Sequence, residues 1–317
     1  MSLTRLGHWL VYLFVRVFVS VVQALDIETC LAVARVMAVV AYDVIRIRRR
    51  IVDENLSIAL PDYSLAERQR VGRRMWRHLL IMLCEIAHAP RKIHETNWRR
   101  YVTIHRHREL VTALLWRRPK VVVTAHFGNF EIAGYLTGLL GIKTHTVART
   151  LDNPFLDDYV NRFRESHGQF ILPKAGSAQQ ADAVLSTGGT LVLLGDQHAG
   201  DKGCWVDFMG RPASCHKALA LFTLLNAAPM IVVYCKRERR PMQFELGLSG
   251  TIDPETPCAE LADVKTLTQW YNGRLEHEIR RTPDQYWWVH NRWRDWQKRK
   301  RRKKKRPAPA EQQRDAA

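Results

Sequence analysis

The sequence predicts an α/β fold: a mixed, mostly parallel sheet flanked by helices, behind an N-terminal membrane-anchor helix. Three observations lead there. From Pro119 onward, short β-rich runs alternate with helical stretches, as in a sheet built from strand–helix–strand units. Residues 64–89 carry a long amphipathic helical pattern. Residues 8–25, HWLVYLFVRVFVSVVQAL, are mostly Leu, Val and Phe. Hydrophobic residues make up 46% of the 317, enough apolar matter to offset ordering entropy and exclude a disordered or fibrous chain. The expected division is an anchor with a helix behind it (1–50), a catalytic-size domain (51–296) and a basic, disordered tail (297–317).

The elements follow in order. Residues 8–25 have about the length that crosses a bilayer core, ~20 residues. No small-residue cleavage site follows, so an uncleaved anchor is expected. Arg16 sits at its middle, where a charge costs ~2.5–3.5 kcal/mol on insertion scales. A helix lying in the interface or against the domain is therefore the alternative. A less apolar helix is expected over 27–45, ending in Arg46, Arg48, Arg49 and Arg50, cations that suit a cytoplasmic membrane face or simply a helix C-terminus. Ser64 with Glu67 three residues on forms a capping box for the 64–89 helix. Strands are expected at 120–124, 143–147, 169–172, 190–195, 230–235 and 243–248. Helices are expected at 129–140, 154–167, 178–186, 216–226 and 264–281.

Charge and cysteine usage narrow the partners. The net charge is +18, and nine basic residues run without a break from 298 to 306. That balance favours an acidic partner: nucleic acid, anionic lipid or an acidic protein. No nucleic-acid motif accompanies the tail, and Trp287, Trp288, Trp293 and Trp296 beside it are a residue type that favours membrane interfaces. Anionic membrane lipid is the expected partner, and no nucleic acid is expected. The six cysteines show no C-x-x-C spacing and no metal-like cluster with histidine, so they read as buried thiols and no metal is expected.

The sharpest chemical feature is VVVTAHFGNFE, 121–131. An apolar strand runs into His126, a Gly-containing turn and a helix, which puts His126 at the sheet rim where α/β sites lie. If the turn folds back, the Glu131 carboxylate reaches the imidazole and makes His126 a general base. The turn amides could steady an oxyanion. A structural histidine capped by a carboxylate has the same spacing. Arg149 follows the second strand at the same rim, as a fork for phosphate or carboxylate or as a plain surface arginine. Asp196 and Gln197 leave the strand LVLLGDQ. The aspartate there can orient a hydroxyl or a basic side chain, or cap its own loop.

Taken in order, AHFGNFE, ARTLDNP with Arg164 and Gly168 downstream, LLGDQHAGDKGCWVDFMGRPA, APMIVVY and TPDQYWWVHNRW resemble the lipid A biosynthesis acyltransferases, the late lauroyl and myristoyl type. The likeness runs from about residue 5 to 296 and includes NLSIALPDYSLAERQRV and Cys84-Glu85. It implies His126 as catalytic base with Glu131 as its orienting acid, and Arg149, Asn153, Asp196 and Gln197 as substrate-binding residues. Gln197 departs from the more usual His of the best-known members. The resemblance further implies transfer of a fatty acyl chain from acyl carrier protein to a glycolipid hydroxyl at the cytoplasmic face of the inner membrane, without cofactor or metal. Two other readings are an acyltransferase acting on an amino-acid lipid or a lysophospholipid, and a non-catalytic basic membrane scaffold. The Pro-Glu-Gly of the glycerophospholipid enzymes is missing from LLGDQ.

Overall fold

The computed structural model describes residues 2–294, apart from 167 and 175. The expected basic tail, with the 298–306 run and Trp296, lies outside the described residues.

Four helices lead the chain: α1 (Leu3–Ala24), α2 (Ile27–Val39), α3 (Arg49–Ala59) and α4 (Leu65–Lys92). The helix expected over 27–45 changes pitch part-way: Val40–Val44 is a π-helical turn, and Arg46 and Arg48 after it adopt left-handed backbone. The Ser64–Glu67 capping box forms as expected, with Ser64 N–H donating to Glu67 Oε2 at 2.7 Å. The α/β part then runs β1 (Val102–His105), α5 (His107–Leu115), β2 (Lys120–Thr124), α6 (Phe130–Leu139), β3 (Thr144–Ala148), α7 (Pro154–Glu165), β4 (Gln169–Pro173), α8 (Ser177–Ser186) and β5 (Thr190–Leu194). It continues with β6 (Cys204–Phe208), β7 (Arg211–Cys215), α9 (Ala218–Leu225), β8 (Met230–Arg237), β9 (Phe244–Ile252) and α10 (Val264–Arg281). β1, α3, α5 and the β6–β7 hairpin were not expected from the sequence.

Seven strands form one sheet in the order β1-β9-β8-β2-β5-β3-β4, parallel throughout except for the antiparallel β8–β9 pair. β2 lies inside it and is buried on both faces, which is why it reads as the unbroken apolar run VVV. One face packs Val121, Val123, Leu191 and Val232 against Leu219 of α9 and Leu267 and Tyr271 of α10. The other packs Val122, Ile231, Val233 and Leu246 against Leu110 of α5 and Ile132 and Leu136 of α6. The tryptophans placed at the membrane by the sequence are partly core instead. Trp288 and Trp293 are 1% and 7% exposed, because their rings pack on Tyr286 and Phe208.

A buried carboxylate ties these layers together. Glu85 of α4 is fully buried and accepts from Arg237 Nε at 2.5 Å and Nη2 at 2.7 Å, from Asn129 Nδ2 at 3.0 Å and from the Met242 N–H at 3.1 Å. His78 on the same helix accepts from Arg237 Nη1 at 2.8 Å through Nδ1 and donates from Nε2 to the Gly128 carbonyl at 3.1 Å. Burial, and then the Arg237 charge, hold His78 well below the ordinary histidine value, so it is neutral and its tautomer is fixed by these two partners. Gly128 itself is left-handed (φ 61), and a Cβ there would overlap the Cys235 carbonyl oxygen, so only glycine fits.

Removing Glu85 leaves Arg237 as an uncompensated buried charge. Glu85→Ala should cost about 3–5 kcal/mol of unfolding free energy, measured by denaturant titration of the detergent-solubilised protein. Glu85→Gln should cost less.

Candidate functional site

The register of the sheet assembles the site. β2 and β5 are parallel, with Thr124 opposite Leu194. His126 and Asp196 each lie two residues beyond these partners, so they meet at the carboxyl edge. His126 Nδ1 and Asp196 Oδ1 are 2.9 Å apart. A carboxylate only accepts, so the proton between them sits on Nδ1, and Nε2 carries the lone pair. Gln197, the next residue, points its side-chain amide at that lone pair, Nε2 to Nε2 at 3.2 Å. Trp287 and Phe130 hold the imidazole from two sides, with ring centroids at 5.0 and 5.1 Å. The Trp287 N–H donates to the His126 carbonyl at 3.1 Å.

Burial alone would lower the His126 pKa. The Asp196 charge and hydrogen bond outweigh it, Glu131 adds to them, and the value rises above the ordinary 6.5. For Asp196, only 2% exposed, burial works toward a higher pKa. The His126 charge and hydrogen bond, with Arg292 behind, bring it below the ordinary carboxylate value. Arg292 is itself buried, donating to the Ser214 carbonyl and to Cys215 Sγ, both at 2.7 Å. Nearby His290 is pushed by burial to about 4, and His216 is also lowered by burial. Among these three histidines His126 alone is poised to take up a proton.

Two expectations are corrected here. Glu131 is not the group that orients the imidazole. Its two oxygens are taken by Arg164 of α7, at 2.5 and 3.1 Å, and it acts on His126 through its charge only. Two of the turn amides are not free for an oxyanion either. The Gly128 N–H donates to the Gln285 carbonyl at 2.9 Å and the Asn129 N–H to the Cys235 carbonyl at 2.7 Å. Asn153 lies away from the imidazole as the cap of α7. Its Oδ1 accepts from the Phe155 and Leu156 N–H groups, and its Nδ2 donates to the His8 carbonyl of α1 at 2.8 Å.

Arg149 stands where the sequence puts it, at the mouth of a cavity of about 500 Å3 that opens on His126 and Gln197 and is also lined by Glu131, Arg164 and Lys174. Its contact with Asp152 (3.3 Å) is exposed, a pair worth at most about 1 kcal/mol and easily surrendered to an anion. Sequence reasoning gave no role at this site to Arg164, Glu85, Arg292 or Trp287. All four stand in motifs quoted above, but their partners are 33, 152, 77 and 161 positions away or reached through burial, where spacing carries no signal. Among the described residues, no group of three or more His, Cys, Asp or Glu side chains is arranged to hold a metal ion.

A basic imidazole aimed into a cavity is a site for deprotonating a hydroxyl, and comparison with known proteins says in which chemistry. The model of the bacterial lipid A biosynthesis acyltransferases matches residues 1–295. The chain belongs to this family. It is an acyltransferase. Relatives include the lipid A biosynthesis palmitoleoyltransferase of Escherichia coli (strain K12), 23% identical over 252 residues, which is 78% of this chain and 79% of that one. The phosphatidylinositol mannoside acyltransferase of Mycobacterium tuberculosis (strain ATCC 25618 / H37Rv) is 26% identical over 178 residues, 55% of this chain and 54% of that one. In this acyltransferase His126 is thus paired with Asp196, and Glu131 with Arg164.

With neutral His126 acting as a base, kcat/KM should rise with pH along an acid limb centred above 6.5, the ordinary histidine value. Asp196→Asn removes the interaction that raises this pKa. The limb should move to lower pH while the plateau falls by about 10²–10⁴-fold. A pH–rate profile of both proteins checks it, and an unmoved limb contradicts the pairing.

Proposed function

We propose that this acyltransferase moves a fatty acyl chain from the thioester of acyl carrier protein to a hydroxyl of a lipid A-type glycolipid, at the cytoplasmic face of the inner membrane, with His126 as general base. The observation that carries the reading is the geometry at His126: Nδ1–H is spent on Asp196, and Nε2 faces the cavity as a base.

The steps need no covalent enzyme intermediate. The acceptor hydroxyl displaces the Gln197 amide from His126 Nε2 and gives up its proton as its oxygen attacks the thioester carbonyl. Asp196 stabilises the imidazolium that forms. The displaced Gln197 amide is then within reach of the developing oxyanion, the task the engaged Gly128 and Asn129 amides cannot take. When the carbonyl re-forms, the C–S bond breaks and the imidazolium proton passes to the leaving thiolate. Arg149 and Lys174 at the mouth suit phosphate, on the acceptor or on the carrier's prosthetic arm. One quoted relative is named for lipid A biosynthesis and the other as a phosphatidylinositol mannoside acyltransferase, which supports a sugar-bearing lipid as acceptor.

Membrane attachment is assigned to residues 1–50 and the chemistry to 51–296. The 22 residues of α1 reach about 33 Å as a helix. Leu3, Phe14, Val17, Phe18 and Val21 on it are exposed. Arg16 at its middle has local partners: the guanidinium donates to Tyr12 Oη at 2.8 Å and lies 5.0 Å from the Tyr159 ring of α7.

His126→Ala should abolish transfer, a loss of at least about 10³-fold, while the protein still folds and fractionates with membranes. Mass spectrometry of membrane lipids from cells carrying either form should show one acyl chain missing from one glycolipid class in the variant. Transfer at the wild-type rate by His126→Ala would overturn the mechanism, and an unchanged lipid profile would overturn the acceptor.

A further inference from the structure

The cavity has two unlike walls. Toward β8 and β9 it is lined by Leu110, Leu114, Val122, Val233 and Leu246, the surface a hydrocarbon chain needs. Toward β3 and β4 it is lined by Thr137, Thr144, Thr146 and Gln169. A strand face covered by helices is ordinarily apolar, so this polar wall calls for a reason.

Its members are built in rather than exposed. Thr144 is 2% exposed, and its Oγ1 meets no hydrogen-bond partner. Gln169 is 8% exposed and lies opposite Thr144 in the strand register. Its Nε2 donates to Thr146 Oγ1 at 3.3 Å. Thr146 accepts in that bond, so its own proton is available to another acceptor. Gly134 of α6 makes the room: a Cβ there would stand 2.7 Å from Gln169 Nε2. An unpaired buried hydroxyl beside a placed amide and a second hydroxyl is a subsite for a group that both donates and accepts.

The position says which part of the substrate reaches it. The thioester carbonyl must lie at His126 and charged groups at the exposed mouth with Arg149, which leaves the acyl chain to run inward. Thr146 and Thr144 lie two and four residues before Ala148, the rim end of β3, about 7 and 13 Å inward at ~3.3 Å per residue.

We infer that the acyl chain transferred by this enzyme carries a hydroxyl group along its length, seated on the wall of Thr144, Thr146 and Gln169. The inference rests on the acyl-transfer reading above and names its substrate class. A site built to pair a hydroxyl discriminates against the chain that lacks one, because its own polar groups are then left unpaired.

The test is binding, measured apart from turnover. The full-length protein in detergent is titrated calorimetrically with lauric acid and with monohydroxylated lauric acids bearing the hydroxyl near the carboxyl, at mid-chain and near the far end. At least one hydroxylated acid should bind about tenfold more tightly than lauric acid, the worth of one good hydrogen bond. Thr144→Val and Gln169→Leu, which conserve volume, should erase that preference and leave the affinity for lauric acid within about threefold. Should Gln169→Leu fail to fold, Thr144→Val and Thr146→Val decide. Equal affinities in the wild type, a preference that survives in the folded variants, or variants that change acceptor choice while fatty-acid preference stays put would each overturn the inference. The same preparations are assayed for transfer. A hydroxyl preference without any transfer counts against the acyl-transfer reading alone, and transfer of plain chains without preference counts against this inference alone.

Discussion

The carboxylate of Glu85 is the constraint on which the molecule turns. An ion with no exposed surface must be matched bond for bond. Its partners come from strand β8 (Arg237), from the Met242 backbone after it and from the cap of α6 (Asn129). Satisfying one charge therefore fixes the position of α4 relative to the sheet and the path of the turn after His126. His78 closes the same network from the other side of that turn by donating to the Gly128 carbonyl. The turn after His126 has little freedom left, and glycine supplies the left-handed conformation it needs at position 128.

With the turn so committed, the chemistry is redistributed. The amides of Gly128 and Asn129 hold structure, while the side-chain amide of Gln197 is the group that meets His126 Nε2. Glu131 and Arg164 neutralise one another at the mouth and link α6 to α7, while Asp196 faces Nδ1. Two acidic residues near one imidazole have thus been given different tasks by their partners. Asp196, buried against the imidazole, sets its tautomer and raises its proton affinity. Glu131, paired with a guanidinium, shapes the opening.

Much of this was legible in the sequence, and the boundary of legibility is physical. The β2 run VVV, the alternation after Pro119, the Ser64–Glu67 box and the placement of His126, Arg149 and Asp196 at strand ends are local properties. Periodicity and strand ends report them directly. β1 was missed because four residues with an alternating exposed face carry little pattern, and the β6–β7 hairpin because its strands are short and half-buried. The partner of His126 was misjudged because sequence proximity favours Glu131, five positions away, over Asp196, seventy positions away. Strand register decides that contest, and register is a property of the folded sheet. Asn153 shows the local side of the same boundary: Asn before Pro is a very good helix cap, and it caps α7.

The tie between α1 and α7 has a consequence for how substrate arrives. Asn153 binds the His8 carbonyl and Tyr159 shields Arg16, while Asn161 and Arg164 on the same helix wall the cavity. With α1 in a bilayer, the helix that borders the lipid is braced directly against one that borders the opening. A lipid drifting along the membrane then finds the entrance by a search in two dimensions, and its chains need never be carried through water to be read.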